Sequence, residues 1–113
     1  IDKAKVGNRT GDIGAAVEKV VKAGGFSVVR DLTGHGVGKT LQEPPSIPNF
    51  GQPGTGDVLK DGMVLAIEPI TATKDTSIAI LHDGWTIVSL SHLPTAHFED
   101  TVILTKDGPI VLT

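Results

Sequence analysis

One stretch of this chain, and one only, carries a sustained helical period. From Thr10 the apolar residues Ile13, Ala16, Val17, Val20 and Val21 recur at steps of three and four, which is the stripe of an amphipathic helix. Thr10 is placed to cap its start, and Asp12 sits in the first turn, where the helix dipole favours an acid. Lys19 and Lys22 lie toward the other end, and Gly24-Gly25 offers a left-handed stop. The apolar runs that follow are short and bounded by turn residues. The order is one helix and then mostly antiparallel strands, an α+β class.

Phe26 to Leu32 is short, β-branched and preceded by glycine, so a strand is predicted there, feeding a glycine loop over residues 33–38 with His35 at its centre. Residues 43–57 hold Pro44, Pro45, Pro48 and Pro53 among several glycines, a composition that predicts irregular, extended chain. Met63 to Ile67 is a continuous apolar run ending at Glu68-Pro69 and reads as a buried strand. Ile78–Leu81 and Trp85–Leu90 flank Asp83-Gly84 as a hairpin. Phe98–Thr105 and Ile110–Leu112 flank Lys106-Asp107-Gly108 as another.

At 113 residues the chain is expected to be a single domain spanning 1–113. Ten basic against 13 acidic residues give a net charge of −3, and no basic stripe is present, so nucleic acid is not an expected partner. With no cysteine, disulfides, thiol catalysis and thiolate metal sites are excluded. No apolar run approaches the roughly 18 residues that span a bilayer, so a cytoplasmic protein without membrane attachment is expected. The start at Ile1 reads as that of a fragment.

Three side chains stand out for chemistry. His35, flanked by glycines, has ring nitrogens available as ligand, base or donor; a water-exposed loop histidine is the plain alternative. Glu68 closes an apolar run, and a carboxylate buried there needs a cation, a metal or hydrogen-bond donors, unless it turns outward to solvent. Glu99 and Asp100 lie on opposite faces of the predicted last strand. Both faces are mixed, so the pattern does not decide which acid is inside, and either could be an edge-strand charge. Together, one imidazole and two carboxylates far apart in the chain form a mixed nitrogen and oxygen donor set suited to Mn, Fe, Co or Zn. His82 is expected to be exposed, His92 is undecided, and His97, close to Glu99, could contact a substrate. No serine has a nucleophile-elbow context.

The blocks Val28-Val29-Arg30-Asp31-Leu32-Thr33-Gly34-His35-Gly36-Val37-Gly38, Glu43-Pro44-Pro45 with Ile47-Pro48-Asn49, Gly62-Met63-Val64-Leu65-Ala66-Ile67-Glu68-Pro69, Asp83-Gly84-Trp85-Thr86 and Phe98-Glu99-Asp100-Thr101 resemble, in order and interval, the C-terminal half of the catalytic domain of a type I methionine aminopeptidase. The resemblance covers essentially the whole chain. It implies half of a pita-bread fold, with one or two helices against a curved sheet, and an enzyme that removes initiator methionine from polypeptides. It also implies two divalent metals held by five residues: two aspartates of the other half, then His35, Glu68 and Glu99. With three of the five ligands, this chain is expected to hold at most one weak metal site.

The resemblance further implies metal-assisted hydrolysis, with Glu68 taking and returning a proton. Trp85 and Leu41 fall where the family lines its methionine pocket, although an aromatic is commoner at the position of Leu41. Gln42 stands where the family has a histidine that touches the scissile peptide; its amide can donate to a developing oxyanion but cannot shuttle a proton. Asp100 stands where the family usually has histidine. A truncated form with impaired turnover is therefore expected, partnered by a peptide or nascent-chain N-terminus and by its missing half or a second copy of itself. Two other readings are a relative cleaving Xaa-Pro bonds and a non-enzymatic peptide-binding module on the same scaffold.

Overall fold

The computed structural model describes residues 1–113. Helix α1 (Thr10–Ala23) occupies the one helical period, followed by ten short strands. Its cap differs in detail from expectation, because Thr10 is already helical and Arg9 is the N-cap residue. The carboxylate of Asp12 accepts the backbone N–H of Arg9 at 2.7 Å and that of Gly54 at 2.8 Å, so one side chain caps the helix and ties it to a distant loop. Gly25, with φ of +80°, supplies the left-handed stop. Ile13 is buried and Val17 packs against the core, yet Val20 is 72% exposed. The helix packs on the protein through its first turns and its last turn overhangs the body, so the apolar stripe is longer than the face it buries.

The two backbone donors, Arg9 first and Gly54 second, hold the Asp12 carboxyl below the usual carboxylate range. Because the folded value is depressed relative to the unfolded value of about 3.9, the stabilisation is complete above that pH and is lost as pH falls through the folded value. We expect Asp12→Asn to flatten the acid limb of stability. Urea midpoints at pH 7 and at about pH 3 should differ less for the variant than for the parent, and an equal or larger difference would contradict the role of Asp12.

The main sheet has five strands in the order β10-β9-β4-β2-β3, all pairs antiparallel. They are β2 (Gly34–Val37), β3 (Glu43–Ile47), β4 (Val64–Ile67), β9 (Asp100–Thr105) and β10 (Gly108–Val111). Two expectations are overturned here. The glycine stretch predicted as a loop is β2, an interior strand, and part of the proline-rich stretch predicted as irregular is the edge strand β3. The prolines are accommodated because pairing jumps from His35↔Ser46 to Gly36↔Glu43, leaving Pro44 and Pro45 in a bulge where their missing N–H groups cost no ladder bond. The two glycines of β2, Gly34 and Gly36, are required by crowding. A Cβ on Gly36 would run into the carbonyl oxygens of Pro44 and Glu43.

A second sheet orders β1 (Ser27–Val28), β5 (Ile70–Ala72) and β8 (Thr95–His97). The strand predicted from Phe26 to Leu32 shortens to β1, with Val29 adding one further bond from its N–H to the Ile70 carbonyl at 2.9 Å. The hairpin of β6 (Ile78–Ile80) and β7 (Ile87–Ser89) forms where expected and pairs with neither sheet. The core joins Ala4, Ile13, Ile47, Leu59, Leu65, Ile67, Val102 and Leu104, beneath the face of the five-stranded sheet that α1 covers. No helix is long and apolar enough to cross a membrane.

Candidate metal centre

Two strand pairs share one register across a break. In the main sheet Ile67 lies opposite Asp100, and in the smaller sheet Ile70 lies opposite His97. Between them the chain leaves one sheet for the other at Glu68-Pro69 on one side and at Phe98-Glu99 on the other, bridged by a bond from the Phe98 N–H to the Pro69 carbonyl at 3.2 Å. Carried through the break, the register sets Glu68 opposite Glu99. His35 pairs with Ala66, and two-residue alternation puts Glu68 on the same face as Ala66. Strand pairing thus brings the imidazole and both carboxylates to one spot, and their ligand atoms all lie within 4.8 Å of one another. Glu99 itself precedes β9 and is exposed. It is positioned by the break, whereas Asp100 begins the strand.

The donor set is suited to a cation. The ring Nδ1 of His35 lies 2.9 Å from the Gly36 carbonyl oxygen. A carbonyl only accepts, so Nδ1 carries a proton, and the Nε2 of a neutral ring is left bare. That nitrogen lies 3.3 Å from Oε1 of Glu68, with both side chains largely buried. Lone pairs facing each other, beside two carboxylates set directly across a strand pair, repel. A divalent cation between them satisfies all three groups, and the hydrogen bond from His35 to backbone is the usual way an imidazole ligand is oriented.

Glu68 is braced on other sides as well. Its Oε2 lies 3.2 Å from Nε2 of His97, and its backbone carbonyl accepts the side-chain N–H of Asn49 at 3.0 Å. Asn49 is fully buried. Sequence reasoning missed it, because Asn after proline looks like any turn residue. His97 was singled out only as a possible substrate contact.

Beside the trio opens a cleft of about 710 Å³, within the size range of small-molecule sites. The free hairpin supplies Ile80, Trp85 and Ile87 to its wall, and Gln42, Glu68 and His97 add polar groups. The tip carrying Trp85 is held by Asp83, whose Oδ1 accepts the backbone N–H groups of Trp85 and Thr86 at 3.0 and 2.9 Å. The hydrogen bond from the Thr86 hydroxyl first, and then these two backbone bonds, hold the Asp83 carboxyl below its ordinary value. Trp85 and Gln42 both border the cleft. Leu41, in the bend between β2 and β3, lies outside the lining. His82 is exposed, as is His92, which has a positive φ of 56°.

An antiparallel α+β scaffold with one imidazole and two carboxylates converging at a sheet break is an arrangement that could hold a divalent metal ion. The profile of metallopeptidase family M24 matches residues 1–106, and the chain belongs to that family. Over all 113 residues it is 48% identical to a methionine aminopeptidase of Clostridium perfringens, covering 45% of that protein. It is 43% identical to methionine aminopeptidase 1 of Bacillus subtilis, covering 46% of it. Among solved structures it is similar to the methionine aminopeptidase of Thermotoga maritima, with a TM-score of 0.96 and 46% identity over the whole of this chain and 45% of that one. A second similar structure, the methionine aminopeptidase of Rickettsia prowazekii, gives 0.91 and 38% over 96% of this chain and 46% of that one. The chain thus spans a little under half the length of the relatives it matches.

Proposed function

We propose that residues 1–113 form one domain, the C-terminal half of a pita-bread fold, within a metal-dependent aminopeptidase that removes N-terminal methionine from polypeptides in the cytoplasm. The observation that carries this reading is the convergence of His35, Glu68 and Glu99 within 4.8 Å in a chain of family M24. The nitrogen and oxygen donors suit Co, Mn, Fe or Zn. When bound, such a cation supplies Lewis-acid assistance to peptide hydrolysis.

The residues divide the remaining work. His35 offers Nε2 while its Nδ1–H, bonded to Gly36, fixes the ring. Glu68 takes a proton from the attacking water at a carboxylate oxygen and returns it to the departing amine, and Glu99 supplies the second anionic ligand. Gln42 donates an amide N–H toward the developing oxyanion. The apolar side of Trp85 receives the methionine side chain. The three ligands make one weak site alone, and the partner that completes it is the N-terminal half or a second copy of the chain.

The test is a hybrid in which this chain follows the N-terminal half of the Clostridium perfringens relative. Supplied with Mn²⁺ or Co²⁺, it is expected to release methionine from a Met-Ala-Ser peptide. Peptide binding without release would support the non-enzymatic module, and release from Xaa-Pro peptides alone would support an Xaa-Pro peptidase. Either outcome overturns the proposal.

A further inference from the structure

We propose that His97 is a positioning residue of this centre: its ring N–H holds the outer oxygen of Glu68, so that the inner oxygen stays turned toward His35 and the cation. The inference rests on the metal reading above. The two oxygens of Glu68 are divided between two imidazoles, Oε1 at 3.3 Å from His35 and Oε2 at 3.2 Å from His97. A carboxylate has no proton to give, so Nε2 of His97 is the donor. His97 does not belong to the group of ligand atoms lying within 4.8 Å of one another. Its contact with this centre is the one with Oε2 of Glu68.

The bond is needed because of what surrounds Glu68. Its main chain is fixed by the buried Asn49 amide and by Pro69, so the freedom left to it is rotation of its own side chain. The register opposes it to Glu99, and repulsion between the two favours rotation away from the site. A donor on Oε2 resists that rotation. The His97 side chain is 49% exposed where that of Glu68 is 13% exposed, so the bond reaches from the surface to the less exposed carboxylate. To ligate a cation through Nε2, His97 would have to release Glu68, since that atom is already turned to the carboxylate.

The experiment compares the unsubstituted chain with His97→Ala, His97→Gln and the control His82→Ala, by metal-free crystal structures and by calorimetric titration with Mn²⁺. In metal-free His97→Ala the Glu68 carboxylate is expected to swing away from His35, and Mn²⁺ affinity to fall about 10- to 100-fold. His97→Gln, whose amide N–H can reach the same oxygen, should restore most of the affinity, and His82→Ala should leave it unchanged. An unmoved Glu68 in His97→Ala, or unchanged Mn²⁺ affinity, overturns the proposal. So does a His97→Gln variant that keeps Glu68 in place yet binds as weakly as His97→Ala, which would mark the imidazole itself as a ligand. If the unsubstituted chain takes up no Mn²⁺, the metal reading fails by itself, and the metal-free position of Glu68 still decides the role of His97.

Discussion

Glu68→Gln is expected to lose Mn²⁺ binding altogether in a calorimetric titration. The amide keeps the shape of the side chain and can still accept from His97, but it removes one of two anionic ligands, and the loss should exceed the roughly 10- to 100-fold typical of an outer-shell change. The same substitution is expected to leave the metal-free protein as stable as before or slightly more so. It relieves the repulsion between two carboxylates set opposite each other across a strand pair. The opposed signs are the diagnostic, since functional sites commonly hold arrangements that stability alone would not favour. Thermal melts in chelator and in Mn²⁺ read both effects. Parent-like Mn²⁺ binding by the variant would remove Glu68 from the centre, and a lower melt in chelator would show that the pair is not repulsive.

The second large effect is expected at Gly36. In Gly36→Val the new side chain would meet the carbonyl oxygens of Pro44 and Glu43. Backbone rather than a flexible side chain stands in the way, and β2 is held by β3 on one side and β4 on the other. The cost should reach about 3 kcal/mol or more, the upper end for overpacked positions, against a total stability on the order of 5–15 kcal/mol for a domain. Gly54→Ala is the comparison. Nothing lies near its Cβ and only its φ of +77° is unfavourable, a cost of about 1–2 kcal/mol. Urea midpoints that rank the two equally would contradict the close approach between β2 and β3.

The parts of this molecule that could be read from the chain are those whose local signals agree with their tertiary surroundings. The period from Ile13 to Val17 buries as a helix should, and the run from Met63 to Ile67 is a strand with a carboxylate at its end that needs a donor and has one in His97. Strands β2 and β3 were illegible for the opposite reason. Glycine and proline disfavour strands locally, and only the neighbouring backbone, pressing on Gly36 and looping out Pro44 and Pro45, makes the strand the better choice. Strands β5 and β8 carry little alternation, since Thr95, Ala96 and His97 are all exposed. Without them the shared register is invisible, and the strand pattern alone does not decide between Glu99 and Asp100; the choice of Glu99 comes from the family resemblance. Val20 errs the other way, as an apolar residue of the helical stripe that the core does not reach.

The shared register across the sheet break has one further consequence. The separation of the coordinating groups is dictated by hydrogen-bonded backbone, while the wall that would recognise a side chain hangs on a hairpin tied to neither sheet. Substitutions that reshape selectivity can accumulate on the hairpin without disturbing coordination geometry. The side chains that line the cleft are thereby free to vary while the placement of His35, Glu68 and Glu99 is inherited unchanged.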